Sequence, residues 1–84
     1  MPENNNIISF DIYGKICEAL KEAKKKHPKF SKNKYQAVSI IGEEFGEFAQ
    51  AVNDNRNECA KLEATHIIAT CIRYLEQYGG NDEE

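Results

Sequence analysis

Ala37-Val38-Ser39-Ile40-Ile41-Gly42-Glu43-Glu44-Phe45-Gly46-Glu47-Phe48-Ala49-Gln50-Ala51-Val52-Asn53-Asp54 is the stretch whose pattern decides the fold class. Its apolar residues recur at helical rather than alternating intervals. Val38, Ile41, Phe45, Phe48 and Val52 step by three or four and line one face of an α-helix. At about 100° per residue, Glu43, Glu44 and Glu47 gather on a different face, with Ile40 and Ala51 between them and the apolar stripe. Like charges three and four apart repel, so the cluster costs helix stability unless something cationic sits on it. A divalent metal is the natural guest, although a Glu-rich stretch taken alone is ordinarily a solvated face.

Outward from this helix, the chain reads as two more. Upstream, Ser9 is placed to cap a helix running to about Lys26, with an apolar stripe of Ile12, Tyr13, Ile16, Leu20 and Ala23. His27-Pro28 ends it, because a residue before proline disfavours the α region. A short basic connection containing Phe30 follows, and Ser31 or Asn33 can cap the second helix, which runs from about Lys34 to Asp54. The turn formers Asn53-Asp54-Asn55-Arg56-Asn57 then lead into a third helix from about Glu58 to Tyr78, stopped by Gly79-Gly80. Ala60, Ala64, Ile67, Ile68, Cys71, Ile72 and Leu75 give this third helix a face wide enough for two neighbours, one of them possible as another subunit. No strand pattern, repeat or linker interrupts the series. The expectation is a single all-α domain over residues 1–84, three helices long, with frayed ends at 1–8 and 79–84.

Length and charge bound the rest. At 84 residues the chain buries only about 60% of its unfolded surface, so a bundle completed by oligomerisation is expected. The net charge of −3 is unevenly spread: residues 15–34 carry eight Lys, whereas residues 35–84 carry ten acids against Arg56, Lys61 and Arg73. Cys17, Cys59 and Cys71 are odd in number, without CxxC spacing, and read as reduced thiols, Cys71 in the core. The polar N-terminus and the lack of a long apolar run argue against a secretory signal or a membrane span, which leaves the cytoplasm. The Lys24–Lys34 arm could touch nucleic acid, but the acidic remainder and the absence of a recognised binding motif count against it.

The third helix repeats the oddity of the second. Glu63 and His66 are three apart, hence neighbours at the edge of the apolar face. A short turn makes helices two and three antiparallel, so Glu44 and Glu47 can face Glu63 and His66 across a groove. Carboxylate oxygens there suit a hard ion such as Mg²⁺, which retains waters and takes phosphate oxygens as further ligands. Glu63–His66 alone is more often a surface pair; together with the first cluster it becomes half of a site. For phosphate contacts, Arg73 lies on the same helix edge, and Lys34 belongs to the basic arm that precedes the acidic helix. Phe30, Tyr35 and Tyr74 could stack a base, though aromatics there are more often core or interface.

Glu43-Glu44-x-x-Glu47, fifteen intervening residues, then Glu63-x-x-His66 resembles the MazG-like all-α nucleoside triphosphate pyrophosphohydrolases, whose signature is EExxE followed by ExxD. His27-Pro28-Lys29-Phe30, the run Ala37 to Phe48 and the run Ile67 to Glu76 are similar to the short phage and bacterial members, so the likeness covers residues 10–78. It implies a Mg²⁺-dependent enzyme cleaving (deoxy)nucleoside triphosphates to monophosphate and pyrophosphate, assembled as a homodimer or homotetramer. It further implies Glu44, Glu47, Glu63 and His66 as metal ligands, with Glu43 and Glu47 in catalysis. His66 departs from the family's Asp: imidazole is a poorer Mg²⁺ ligand, which points to weaker Mg²⁺ binding, a taste for Mn²⁺, or nucleotide binding and oligomerisation without catalysis.

Overall fold

A computed structural model describes residues 7–79, and these form three α-helices: α1 (Phe10–Lys26), α2 (Lys34–Asn53) and α3 (Asn57–Tyr78). The expected frayed residues 1–6 and 80–84 lie outside the described residues. Each boundary has a local cause. Ser9 starts α1 by accepting a hydrogen bond from the Ile12 amide at 3.2 Å. His27 ends it by leaving the helical region at φ −133° and ψ 81°, its amide donating to the Ala23 carbonyl at 2.9 Å. Asn33, not Ser31, caps α2, accepting from the Gln36 amide at 2.8 Å. The turn into α3 is made by Asn55 at φ 60°, a left-handed conformation that asparagine tolerates better than most side chains.

Helix α3 is the shared neighbour. It packs against α2 on one side and α1 on another, whereas α1 and α2 do not approach each other. The broad apolar face of α3 is thus shared between two neighbours of the same chain, although Ile68, Cys71 and Leu75 on it stay exposed. Three helices arranged this way make a slab, 42 × 38 × 22 Å, with a radius of gyration of 14.4 Å. A compact domain of this length would measure about 12 Å.

The apolar stripe of α2 comes out turned away from α3, and that of α1 is covered only from Ile16 onward, through Leu20 and Ala23. On α2 the buried residues are Ala37 and Ala51, with Ile40, Ile41, Glu44 and Phe48 half-buried, while Val38, Phe45 and Val52 stay exposed. The α3-facing side is therefore centred near Glu44, and the large apolar stripe looks elsewhere. On α1 only Ile16 is buried; Ile12 and Tyr13 are exposed because α1 has α3 as its single neighbour. Cys71, expected in the core, is exposed, since it lies on the side of α3 turned to neither helix. Among the described residues Ile16, Ala37, Ala51, Ala60 and Ala69 are the buried apolar ones, a core of one large side chain and four alanines.

The C-terminal half of α3 fastens the residue 27–33 connection. Arg73, buried, donates from Nη1 to the Ala23 carbonyl at 3.1 Å and from Nη2 to the Pro28 carbonyl at 3.2 Å, and its guanidinium lies 5.5 Å from the centre of the Phe30 ring. The Gln77 amide pairs with the Ser31 backbone, accepting from its N–H at 3.3 Å and donating to its carbonyl at 2.9 Å. Buried Ser31 also meets the Tyr78 hydroxyl at 2.8 Å, and Lys24 pairs with Glu76 at 3.0 Å. The first half of α3 is left to carry the candidate site.

Candidate metal centre

Glu44 reaches this site from the middle of α2 because that side of the helix, not the Phe45 side, faces α3. Glu63 and His66 come from one turn of α3, three residues apart and so stacked on the same face. Each of the three offers a donor atom within 4.8 Å of the others, and all three side chains are half-buried. His66 Nδ1 lies 3.3 Å from Glu63 Oε1 and 3.7 Å from Glu44 Oε1. The first distance is a hydrogen bond and the second is too long for one. Glu44 Oε1 is accordingly buried without a hydrogen-bond partner among the described residues. An orphaned carboxylate oxygen is costly, and it is the kind of atom that a cation would satisfy.

The electrostatics agree with that cost. Burial raises the Glu44 carboxyl above the usual carboxylate range, the charge of Glu47 pushes the same way, His66 opposes, and Glu63 adds to the rise. A bound cation would reverse the balance by favouring the ionised form.

The donor set is two carboxylate oxygens and one imidazole nitrogen. Oxygen alone would suit Mg²⁺; a nitrogen among the donors extends the fit to Mn²⁺ and other transition metals. Three protein donors leave positions for water or for the oxygens of a bound molecule. Thr70 supports the group from below, its hydroxyl turned back to the Ile67 and His66 carbonyls at 2.9 and 3.1 Å, so it brings no unpaired donor into the cluster.

Of the four ligands implied by the sequence likeness, three converge and Glu47 does not join them. It stands exposed one turn further along α2, where it lines a neighbouring cleft of about 520 Å³ with Glu43, Gln50, Arg56, Cys59 and Glu63. Glu63 belongs to both, so the cleft opens directly off the three-residue group. Glu43 is exposed on the cleft wall. Arg73 stands two turns beyond His66 with its guanidinium on backbone carbonyls. Lys34 opens α2, at the end away from the cluster, with its ammonium 6.0 Å from the centre of the Tyr78 ring.

One residue escaped sequence reasoning. Arg56, which reads as a turn residue, is the cation of the acidic cleft, and its Nη2 lies 3.5 Å from Cys59 Sγ. The available signal was its place: a lone Arg in the turn joining two acid-bearing helices must lie at the mouth of any groove between them.

No helix among the described residues is long and apolar enough to cross a membrane. No family model, curated protein or solved structure matches the chain. The likeness to pyrophosphohydrolases therefore rests on the motifs of the sequence.

Proposed function

We propose that the protein is a metal-dependent hydrolase that cleaves (deoxy)nucleoside triphosphates to monophosphate and pyrophosphate, acting as a homodimer or homotetramer of MazG-like subunits. The observation that supports it is the meeting of Glu44, from one helix, with Glu63 and His66, from the next, around a carboxylate oxygen that has no hydrogen-bond partner among the described residues. In this reading Glu44, Glu63 and His66 hold Mg²⁺ or Mn²⁺, and the ion supplies charge to the phosphates and acidity to water. Glu47 and Glu43 stand on the adjoining cleft wall, where either can accept a proton from an attacking water. Arg56 faces the same cleft and offers a bidentate contact to a phosphate. Arg73 and Lys34, the phosphate contacts suggested by sequence, are engaged or distant in the folded chain and have the weaker claim.

One observation favours a second reading. His66 already lies within ion-pair distance of both carboxylates. Protonated, it balances part of their charge without a metal and leaves a noncatalytic nucleotide-binding or oligomerisation module. Pyrophosphate release from a panel of nucleotides, with Mg²⁺ and separately with Mn²⁺, decides between them. Metal-dependent release that is lost in Glu44→Gln supports the hydrolase, and a flat panel from folded protein supports the second reading.

A further inference from the structure

Helix α2 carries a second apolar stripe that the chain itself leaves uncovered. Val38 is 63% exposed, Phe45 59% and Val52 49%. They follow one another at intervals of seven residues, the repeat that keeps a seam on one side of a helix. Tyr35, 85% exposed, extends the stripe towards the start of α2. Between the large residues lie Gly42 and Ala49, and a Cβ added to Gly42 or Gly46 would touch nothing within 4 Å. Glycine weakens a helix interior, and in open solvent these two gain nothing in return.

We propose that this stripe is a homotypic interface: α2 packs antiparallel on α2 of a second copy, about a twofold axis beside Phe45. Three features select a second copy over another partner. Val38-x6-Phe45-x6-Val52 reads the same in both directions, so a twofold axis at Phe45 sets Val38 against Val52 of the other copy and Phe45 against its equivalent. Each ring then has the small residues around Gly42 and Gly46 of the other helix as its hole. The charges permit it as well: Glu43 and Glu47 sit about 160° round the helix from Phe45 and face the cleft, so no like charges meet across the seam. The area is sufficient. The stripe and its flanks present on the order of 500–600 Å² per copy, so that a pair buries on the order of 1,000–1,200 Å², the lower bound of a specific interface.

The need for such a cover is general rather than occasional. With Ile16 as the one large buried apolar side chain among the described residues, the isolated chain has too small a core to stand alone. A second copy is the cover present wherever the chain is present. The pairing rests on the assembled form proposed above but not on its chemistry, and a protein without turnover can still show it.

The full chain is tested by sedimentation and by cross-linking. The unaltered protein is expected to sediment at twice its 9.6 kDa chain mass or a multiple of that. With Cys17, Cys59 and Cys71 replaced by Ser, the double variant Val38→Cys/Val52→Cys is expected to form an interchain disulfide on mild oxidation, and each single variant is not. Phe45→Glu is expected to shift the chain to monomer with loss of thermal stability; should it fail to fold, the cysteine variants still decide. A folded monomer at micromolar concentration would mean that a different protein covers the stripe, and overturns the proposal. Single variants that link as readily as the double overturn the antiparallel register, and a dimer in which the double variant does not link places the interface elsewhere.

Discussion

The imidazole of His66 lies closer to Glu63 than to Glu44, at 3.3 Å against 3.7 Å, and this asymmetry leaves the buried oxygen of Glu44 without a hydrogen bond. His66 thus pairs with the slightly more buried of the two carboxylates, and the geometry leaves room on the Glu44 side. Replacing His66 with Asp supplies a third carboxylate, so His66→Asp is expected to raise Mg²⁺ affinity by on the order of tenfold and to raise Mg²⁺-supported pyrophosphate release. In chelator the same variant is expected to melt below the unaltered protein, because three acids then meet with no cation. Calorimetric titration and thermal melts with and without Mg²⁺ read both effects.

Glu44→Gln keeps the shape and removes the charge. It is expected to weaken metal binding and turnover by on the order of 100-fold or more, while leaving the metal-free protein at least as stable as before. A variant that melts early in chelator would instead assign Glu44 a structural ion pair with His66.

The raised Glu44 carboxyl has a consequence for pH. Burial and the charges of Glu47 and Glu63 outweigh His66, so the folded chain holds this proton more tightly than the unfolded chain does. The stability this contributes is complete below the ordinary carboxylate range and is lost as pH rises through the raised value. Melting temperature in chelator is therefore expected to fall across that window, and the fall to disappear in Glu44→Gln. Mn²⁺ requires the ionised carboxylate, so its stabilising effect is expected to grow as pH rises through the same window.

Arg73 separates the fold from the chemistry. Its two hydrogen bonds to the Ala23 and Pro28 carbonyls tie the end of α1 to α3. Arg73→Ala is expected to cost about 3 kcal/mol, a fall of about 12–24 °C in Tm. Arg73→Lys, which keeps one of the two contacts, is expected to lose less and to leave KM for the nucleotide unchanged below its melting point. A raised KM in folded Arg73→Lys would return this residue to the substrate site.

The helices were legible from end to end because their punctuation is local: Ser9, His27-Pro28, Asn33 and Asn55 each act on the backbone beside them. The two acidic motifs were legible for the same reason, since residues three apart on a helix must be neighbours. That the Glu44 side of α2 turns to α3 was legible from the two motifs; where the large apolar stripe goes was not. Periodicity located the stripe of Val38, Phe45 and Val52, but it cannot say whether such a stripe meets its own chain or lies outside it, and here it lies outside. Glu44 was thereby carried inward and Glu47 left on the cleft wall. The engagement of Arg73 with Ala23 and Pro28 spans fifty and forty-five residues and left no local mark.

Because α1 is fastened to α3 alone, it can peel off without disturbing the seam between the other two helices. Its amides should then exchange with solvent in a separate, lower-energy opening, while those around Glu44 and His66 stay protected until global unfolding. The same anatomy makes α1 the part of the chain freest to vary in sequence and angle, with Arg73 and Gln77 as its moorings.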